Sequence, residues 1–171
     1  EKIRQEFAVR LLGRLLFCWF LQKKTSTSGL SLVPETILSV ASVTTPRDLD
    51  FYHAVLEPLF FETLNQPLAE RQPSFQTGDW AAIPFLNGGL FEPHVHDFYD
   101  GRCTLNTLIV PDNWLTELLK CFERYHFTIE ENTPIEVQVA IDPEMLGQIF
   151  ENLLAEINPE TGETARKATG S

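Results

Sequence analysis

The stretch that decides the fold is residues 2–24, KIRQEFAVRLLGRLLFCWFLQKK. Apolar side chains recur here every four residues, at Ile3, Phe7, Leu11, Leu15 and Trp19, and a second row of apolar neighbours widens the stripe. This spacing is that of one face of an α-helix. From Leu15 onward apolar residues cover most of the circumference. The second half of the helix is therefore predicted to lie at the centre of the core.

Capping residues predict two further helices in the next forty residues. A short helix is expected over residues 34–42. A longer helix is expected to begin with Thr45 as its N-cap and Pro46 at its first position, and to continue to Leu64. Pro58 lies inside this helix, where the missing N–H and the ring clash should kink or break it.

The C-terminal third is predicted to contain two helices and a small β-hairpin. One helix begins at Asp112 and ends near Tyr125. Alternating apolar residues at 127–129 and 137–139 indicate two short strands. The last helix covers residues 142–154, with an Asp cap and a Pro in its first position.

Residues 65–104 lack helical periodicity and hold four of the nine glycines. An irregular segment is therefore expected, pinned to the helices by Phe85, Leu86, Leu90 and Phe91. The fold class that follows is mainly α (α+β), a helical bundle-like domain with a small β-hairpin and a long irregular segment. The domain is predicted to span residues 1–157, with an exposed linker over 158–171.

Charge is spread unevenly along the chain, whose net charge is −11. Residues 1–24 hold six Lys or Arg against two Glu, and the other residues hold seven basic against 22 acidic. The bulk of the chain should repel a phosphate backbone. The basic cluster available for DNA contact is Arg10, Arg14, Lys23 and Lys24, and the alternative is an ordinary solvated helix face.

Cysteine usage indicates a reduced, cytoplasmic protein. Cys18, Cys103 and Cys121 are odd in number and lack metal-binding spacing. Cys18 and Cys121 stand in apolar surroundings, where cysteine behaves as a small hydrophobe. The longest apolar run, residues 15–21, is far shorter than the roughly 20 residues that span a bilayer, and no signal peptide is expected.

Two clusters could hold a metal ion. His94 and His96 share a face if the segment is extended, with Asp97 beside them and Cys103 or His53 as a further ligand. Solvated loop histidines are the simpler interpretation, so no metal ligand is assigned.

The second cluster is Asp112, Glu117 and Lys120, which is faintly similar to the acidic pattern of metal-dependent nucleases. The three residues fall on one predicted helix, so a charged helix face with a capping Asp explains them better. The sequence assigns no catalytic or cofactor-binding residue to the chain.

Several motifs together resemble the region upstream of the methyltransferase domain in large bacterial DNA adenine methyltransferases of the type IIG restriction–modification kind and in related phage-exclusion methyltransferases. The motifs are residues 13–17, 20–24, 83–91, 122–129 and 141–154. The resemblance covers roughly residues 8–171. It implies a helical connector that follows a nuclease domain and precedes an adenine-N6 methyltransferase and a target-recognition domain.

The resemblance implies double-stranded DNA and flanking domains of the same chain as partners. It implies S-adenosylmethionine as the parent's cofactor, with Mg²⁺ if a nuclease domain is present. In the family the segment matching residues 169–171 leads into the cofactor site, and neither the Gly-rich cofactor loop nor the Asn-Pro-Pro-aromatic motif occurs in this sequence. The chain alone is therefore expected to be inactive. The alternative functions are a stand-alone acidic protein-interaction module with a Phe-rich surface and, more distantly, an independent nuclease.

The last helix gives a testable prediction. Its face around Phe150 is expected to pack against the first helix near Leu15 and Trp19, because these are the two most apolar helical surfaces. Replacing Phe150 by Ala should destabilise the chain by about 3–5 kcal/mol, the range for a buried aromatic ring. Thermal unfolding checks this, and an unchanged melting temperature would show that the helix is peripheral.

Overall fold

The computed structural model describes residues 1–23, 29–86, 89–101 and 108–124. These residues are mainly helical and contain no β-strand, which confirms the mainly α class. The predicted hairpin and the helix over 142–154 lie outside the described residues. The helices are α1 (Lys2–Lys23), α2 (Val40–Thr44), α3 (Gly78–Ala81) and α4 (Asp112–Arg124), with two π-helical segments, Tyr52–Leu56 and Pro58–Leu64.

Two compact units divide the structure. The larger unit comprises Arg14–Phe127, and the described part of the smaller unit is Glu1–Gly13. The predicted domain limits, 1–157 with a linker over 158–171, extend beyond the described residues and stay predictions. No helix in the described part of the chain is long and apolar enough to cross a membrane.

The second half of α1 lies in the core of the larger unit, as predicted. Leu15, Cys18 and Trp19 are all buried. The Trp19 ring lies 5.7 Å from the ring of Phe122 on α4, measured between centroids. α1 and α4 are therefore in direct aromatic contact, while the predicted packing of the last helix on α1 lies outside the described residues.

α2 is shorter and begins later than the sequence predicted. Pro34 starts a turn, in which its carbonyl accepts the N–H of Ile37 at 3.0 Å. The helix itself begins after Ser39, whose hydroxyl accepts the N–H of Ser42 at 3.0 Å. α2 packs on α4, and the side chains of Val43 and Leu115 are buried.

The predicted helix start at Thr45 is wrong. The Thr45 hydroxyl donates to the carbonyl of Ala41 at 2.8 Å, so Thr45 ends α2. Asp50 takes the capping role, since its carboxylate accepts the N–H of His53 at 3.1 Å. The following helix accordingly begins at Phe51.

Pro58 does not break the helix, but the helix departs from α geometry around it. The chain is π-helical on both sides, over Tyr52–Leu56 and Pro58–Leu64. Such π-turns are a distortion of the kind that a proline inside a helix favours. Thr63 supports this turn by donating its hydroxyl to the Pro58 carbonyl at 2.9 Å.

Arg71 holds the first part of the irregular segment together. The Arg71 guanidinium is buried and donates to the carbonyls of Gln66, Trp80 and Ile83 at 3.0, 3.1 and 2.9 Å. Burial lowers the pKa of Arg71. Three backbone carbonyls of the segment are thus tied to one side chain.

The prediction that four apolar residues anchor the irregular segment to the helices is partly wrong. Phe91 is buried as expected, and the Leu86 N–H donates to the Leu64 carbonyl at 2.8 Å. Phe85 is exposed, and Ile83 is buried in its place. Asn87 and Gly88 lie outside the described residues.

The start of α4 stabilises the start of the π-helical region. The Asp112 carboxylate accepts the N–H of Phe51 at 2.8 Å across 61 residues of sequence. Replacing Asp112 by Ala removes this cap and should lower the free energy of unfolding by about 1 kcal/mol. Urea unfolding measures the change, with Asn113→Ala, an exposed neighbour, as the matched control. Equal stability of the two variants would contradict the capping role.

Candidate functional site

Arg14 is a buried side chain with three hydrogen bonds. It is 2% exposed. Its Nε donates to the Leu90 carbonyl at 2.8 Å, and one terminal nitrogen donates to the Glu92 carbonyl and to Oδ2 of Asp97, each at 2.9 Å. We call this group the Arg14 clamp. It joins α1 to a segment about eighty residues later in the chain.

Aromatic rings enclose the Arg14 guanidinium. Its central carbon lies 5.0 Å from the ring centroid of Phe61 and 5.9 Å from that of Phe60. Phe60 also packs against Phe91, with centroids 5.8 Å apart. A planar guanidinium favours such ring faces, and the rings exclude water from the ion pair. The clamp is therefore a desolvated charge with dedicated partners.

Asp97 is the clamp's counter-ion and also shapes the chain around itself. It is fully buried, and its Oδ2 accepts the N–H of His94 at 2.8 Å as well as the Arg14 hydrogen bond. This arrangement caps the short 3₁₀ turn Val95–Asp97. The next residue, Phe98, has φ of 54°, a left-handed conformation that is costly for a bulky residue. The clamp holds this turn in place.

The candidate metal ligands near the clamp, His94, His96 and Asp97, have other hydrogen-bond partners. His94 Nδ1 accepts the N–H of His96 at 3.1 Å, so its lone pair is occupied and the neutral ring carries its proton on Nε2. Asp97 is committed to Arg14. Among the described residues no group of three His, Cys, Asp or Glu could hold a metal ion. Cys103, the further candidate ligand, lies outside those residues.

His53, the other candidate ligand, belongs to a different cluster that sequence reasoning missed. Its Nδ1 lies 2.9 and 2.8 Å from the two carboxylate oxygens of Asp50, and its Nε2 lies 3.9 Å from Oε1 of Glu57. A carboxylate that orients an imidazole is also the geometry of a general base. Because His53 and Glu57 are buried, a substrate does not reach Nε2 here. The spacing Asp-x-x-His-x-x-x-Glu on one helix was the signal available.

The basic cluster is not a continuous face. Arg14 is interior, so the interpretation of Arg14 as part of a solvated helix face is wrong. Arg14 is stable in the interior because the Asp97 carboxylate and the carbonyls of Leu90 and Glu92 accept its hydrogen bonds. The Lys23 ammonium lies 4.5 Å from the centroid of the Trp19 ring, and Lys24 lies outside the described residues. Contact of Arg10, Lys23 and Lys24 with DNA stays a prediction.

The nuclease-like residues form a charged helix face, as the simpler interpretation had it. Lys120 Nζ donates to Oε1 of Glu117 at 2.9 Å on the exposed side of α4. This hydrogen bond, more than the charge of Lys120, lowers the pKa of Glu117. Asp112 is occupied by its bond to the Phe51 N–H. The three side chains do not converge on a site.

The two described cysteines differ. Cys18 is buried beside Arg14, and burial, partly opposed by the Arg14 charge, raises the pKa of its thiol. It behaves as the small hydrophobe that was predicted. Cys121 is exposed, so the same prediction for Cys121 is wrong. It lies on the outer side of α4, away from the buried Leu115 and Leu119.

Comparison with known proteins relates the chain to restriction–modification. Over 158 residues, 90% of this chain, it is 32% identical to a protein of Methanocaldococcus jannaschii. That protein is provisionally named a type II restriction enzyme and methyltransferase. The chain spans 12% of that protein's length. No family model and no solved structure matches the chain. Relatedness to a restriction–modification protein, expected from the sequence motifs, is confirmed.

The Arg14 clamp generates a stability prediction. Replacing Arg14 by Met leaves the Asp97 carboxylate buried without its counter-ion, which should cost about 3–5 kcal/mol. Asp97→Asn should also destabilise, and the double variant should cost less than the sum of the two single changes. Chemical denaturation of the four proteins gives the coupling energy.

The control for this cycle is Arg4→Met, which removes an exposed arginine from the same helix. It should change stability by less than about 0.5 kcal/mol. Additive effects of Arg14→Met and Asp97→Asn would contradict a coupled pair.

Proposed function

We propose that this chain is the connector segment of a DNA adenine-N6 methyltransferase of the restriction–modification type, located ahead of the catalytic domain and without catalysis of its own. The observation that carries the proposal is the sequence relation to a restriction–modification protein over 90% of the chain. The chain corresponds to 12% of that protein, so it is treated as one part of a larger enzyme.

The structure supports a mechanical role for that part. The Arg14 clamp ties α1 to a segment about eighty residues later, and the Arg71 hydrogen bonds tie neighbouring turns of the irregular segment together. Breaking such bonds leaves buried polar groups unpaired, so local opening is costly. A body fixed in this way holds flanking domains at a constant separation.

The chemistry in this proposal belongs to the rest of the parent. S-adenosylmethionine is bound there, Mg²⁺ is needed if a nuclease domain is present, and double-stranded DNA is contacted mainly there. The acid surplus beyond residue 24 supports this division, since such a surface is repelled by phosphates. The basic residues Arg10, Lys23 and Lys24 supply at most an auxiliary backbone contact. We place the parent in the cytoplasm and assign it a role in phage defence.

A stand-alone acidic interaction module is the second candidate. Exposed Phe85 and Phe98 favour it, because each presents a ring to solvent. Buried Phe51, Phe60 and Phe61 weigh against a Phe-rich binding surface, since their rings fill the core. A native gene that ends near Ser171 would favour this candidate, and a much longer reading frame would exclude it.

Methyl transfer tests the connector proposal. The purified 171-residue chain should neither bind S-adenosylmethionine in calorimetry nor transfer a labelled methyl group to DNA. The parental protein should label adenine N6, as read by digestion of the DNA and chromatography of its nucleosides. Replacing the Asn of the parent's Asn-Pro-Pro-aromatic motif is the control and should abolish labelling.

Two results would overturn the proposal. One is methyl transfer by the 171-residue chain alone. The other is a parental reading frame that lacks the methyltransferase motifs.

A further inference from the structure

Reciprocal hydrogen bonds close the short turn Val95–Asp97. The Nδ1 atom of His94 accepts the N–H of His96 at 3.1 Å, and Oδ2 of Asp97 accepts the N–H of His94 at 2.8 Å. The carbonyl of His94 accepts the N–H of Asp97 at 2.8 Å. We call the bond from the His96 N–H to the His94 ring the His94 cap. This arrangement is a capping box in which a histidine ring takes the place of the usual hydroxyl or carboxylate.

The His94 cap requires an unprotonated ring nitrogen. A backbone N–H only donates, so Nδ1 of His94 must accept. A protonated imidazole carries an N–H on both ring nitrogens and accepts at neither. Histidine is the side chain that ordinarily changes charge between about pH 5 and 8, and His94 is exposed to water, which supplies the proton. Protonation of His94 therefore removes the cap and sets one donor against another.

Neighbouring charges do not replace the lost hydrogen bond. Asp97 would attract a charged His94 ring, but the Asp97 carboxylate is already paired with Arg14 at 2.9 Å. The centroids of the His94 and His96 rings are 5.2 Å apart, and two charged rings at that distance repel. Two acidic residues of the same segment are exposed, where water and salt screen their charges, namely Glu92 and Asp100.

Backbone strain acts in the same direction as protonation. Phe98, the residue after the turn, has φ of 54°, which is costly for a bulky side chain. Its ring is 45% exposed, so burial of the ring offsets only part of that cost. Once the cap is lost, the relaxation of Phe98 to an ordinary conformation favours the open turn.

We propose that the His94 cap is a pH-sensitive device that keeps the turn closed while His94 is neutral and releases it when His94 is protonated. The closed turn needs the unprotonated ring, whereas the open turn accepts either form. Acid therefore shifts the equilibrium towards the open turn, and alkali shifts it towards the closed one. The buried Arg14–Asp97 pair lies beneath the turn, so the opening is local. The device belongs to this chain's own residues and does not depend on the connector role.

Nitrogen-15 NMR of the 171-residue chain tests the device. At about pH 7.5 the His94 ring should carry its proton on Nε2, with Nδ1 unprotonated. On acidification the amide resonance of His96 should shift with the same midpoint as the His94 ring. Hydrogen exchange at the His96 amide measures the opening itself.

The matched variant is His94→Asn, whose side-chain carbonyl can cap the turn but does not titrate. Residue 94 is not adjacent to the His96 amide, so a comparison at one pH cancels the intrinsic exchange rate. Both proteins should exchange equally at about pH 7.5, and at about pH 5 the unmodified chain should exchange about fivefold faster, the effect of losing one cap. His96→Asn is the control and should keep the pH response, because its backbone N–H remains.

Three results would overturn the proposal. One is equal exchange of the unmodified chain and His94→Asn at about pH 5. Another is protonation of the His94 ring without a change at the His96 amide. The third is a pH response that persists in His94→Asn, which would assign the sensing to another group. His94→Ser, a second cap that does not titrate, repeats the comparison if the Asn variant fails to fold.

Discussion

The burial of one positive charge constrains much of this structure. Removing the Arg14 guanidinium from water is costly unless every donor direction has a partner, and a lone carboxylate does not supply enough acceptors. The chain supplies Asp97 together with the carbonyls of Leu90 and Glu92. Since those acceptors belong to one short segment, satisfying the charge fixes the position of that segment on α1.

The irregular part of the fold depends on this kind of tie rather than on periodic packing. Asp97 holds the turn that begins at His94, and the turn sets the left-handed backbone of Phe98. Arg71 does the same for the carbonyls of Trp80 and Ile83. A stretch without helical periodicity thus acquires a defined path because two buried arginines donate hydrogen bonds to its backbone carbonyls.

The local sequence pattern predicted the helices that apolar spacing determines. It failed where contacts between residues far apart in the sequence determine the structure. α1 and α4 follow from apolar spacing and were predicted closely. Thr45 and Asp50 are both good capping residues, and sequence alone did not rank them. Arg14 stands one helical turn from Arg10 and was interpreted as its surface neighbour. Its partner Asp97 lies 83 residues away, and no local sequence pattern predicts such a pair. Burial decides the role of Arg14, and burial is a tertiary property.

The ion pairs of the fold differ in strength according to their burial. Removing one partner of a buried pair such as Arg14–Asp97 costs about 3–5 kcal/mol, and about 1.4 kcal/mol corresponds to a factor of ten in an equilibrium constant. Exposed pairs such as Glu117–Lys120, worth about 0–1 kcal/mol, would be open often. The buried pair therefore contributes more to a fixed geometry than the exposed one. Arg14 and Arg71 lie in a core of aliphatic and aromatic side chains, where their hydrogen bonds determine which carbonyls of the irregular segment face the interior.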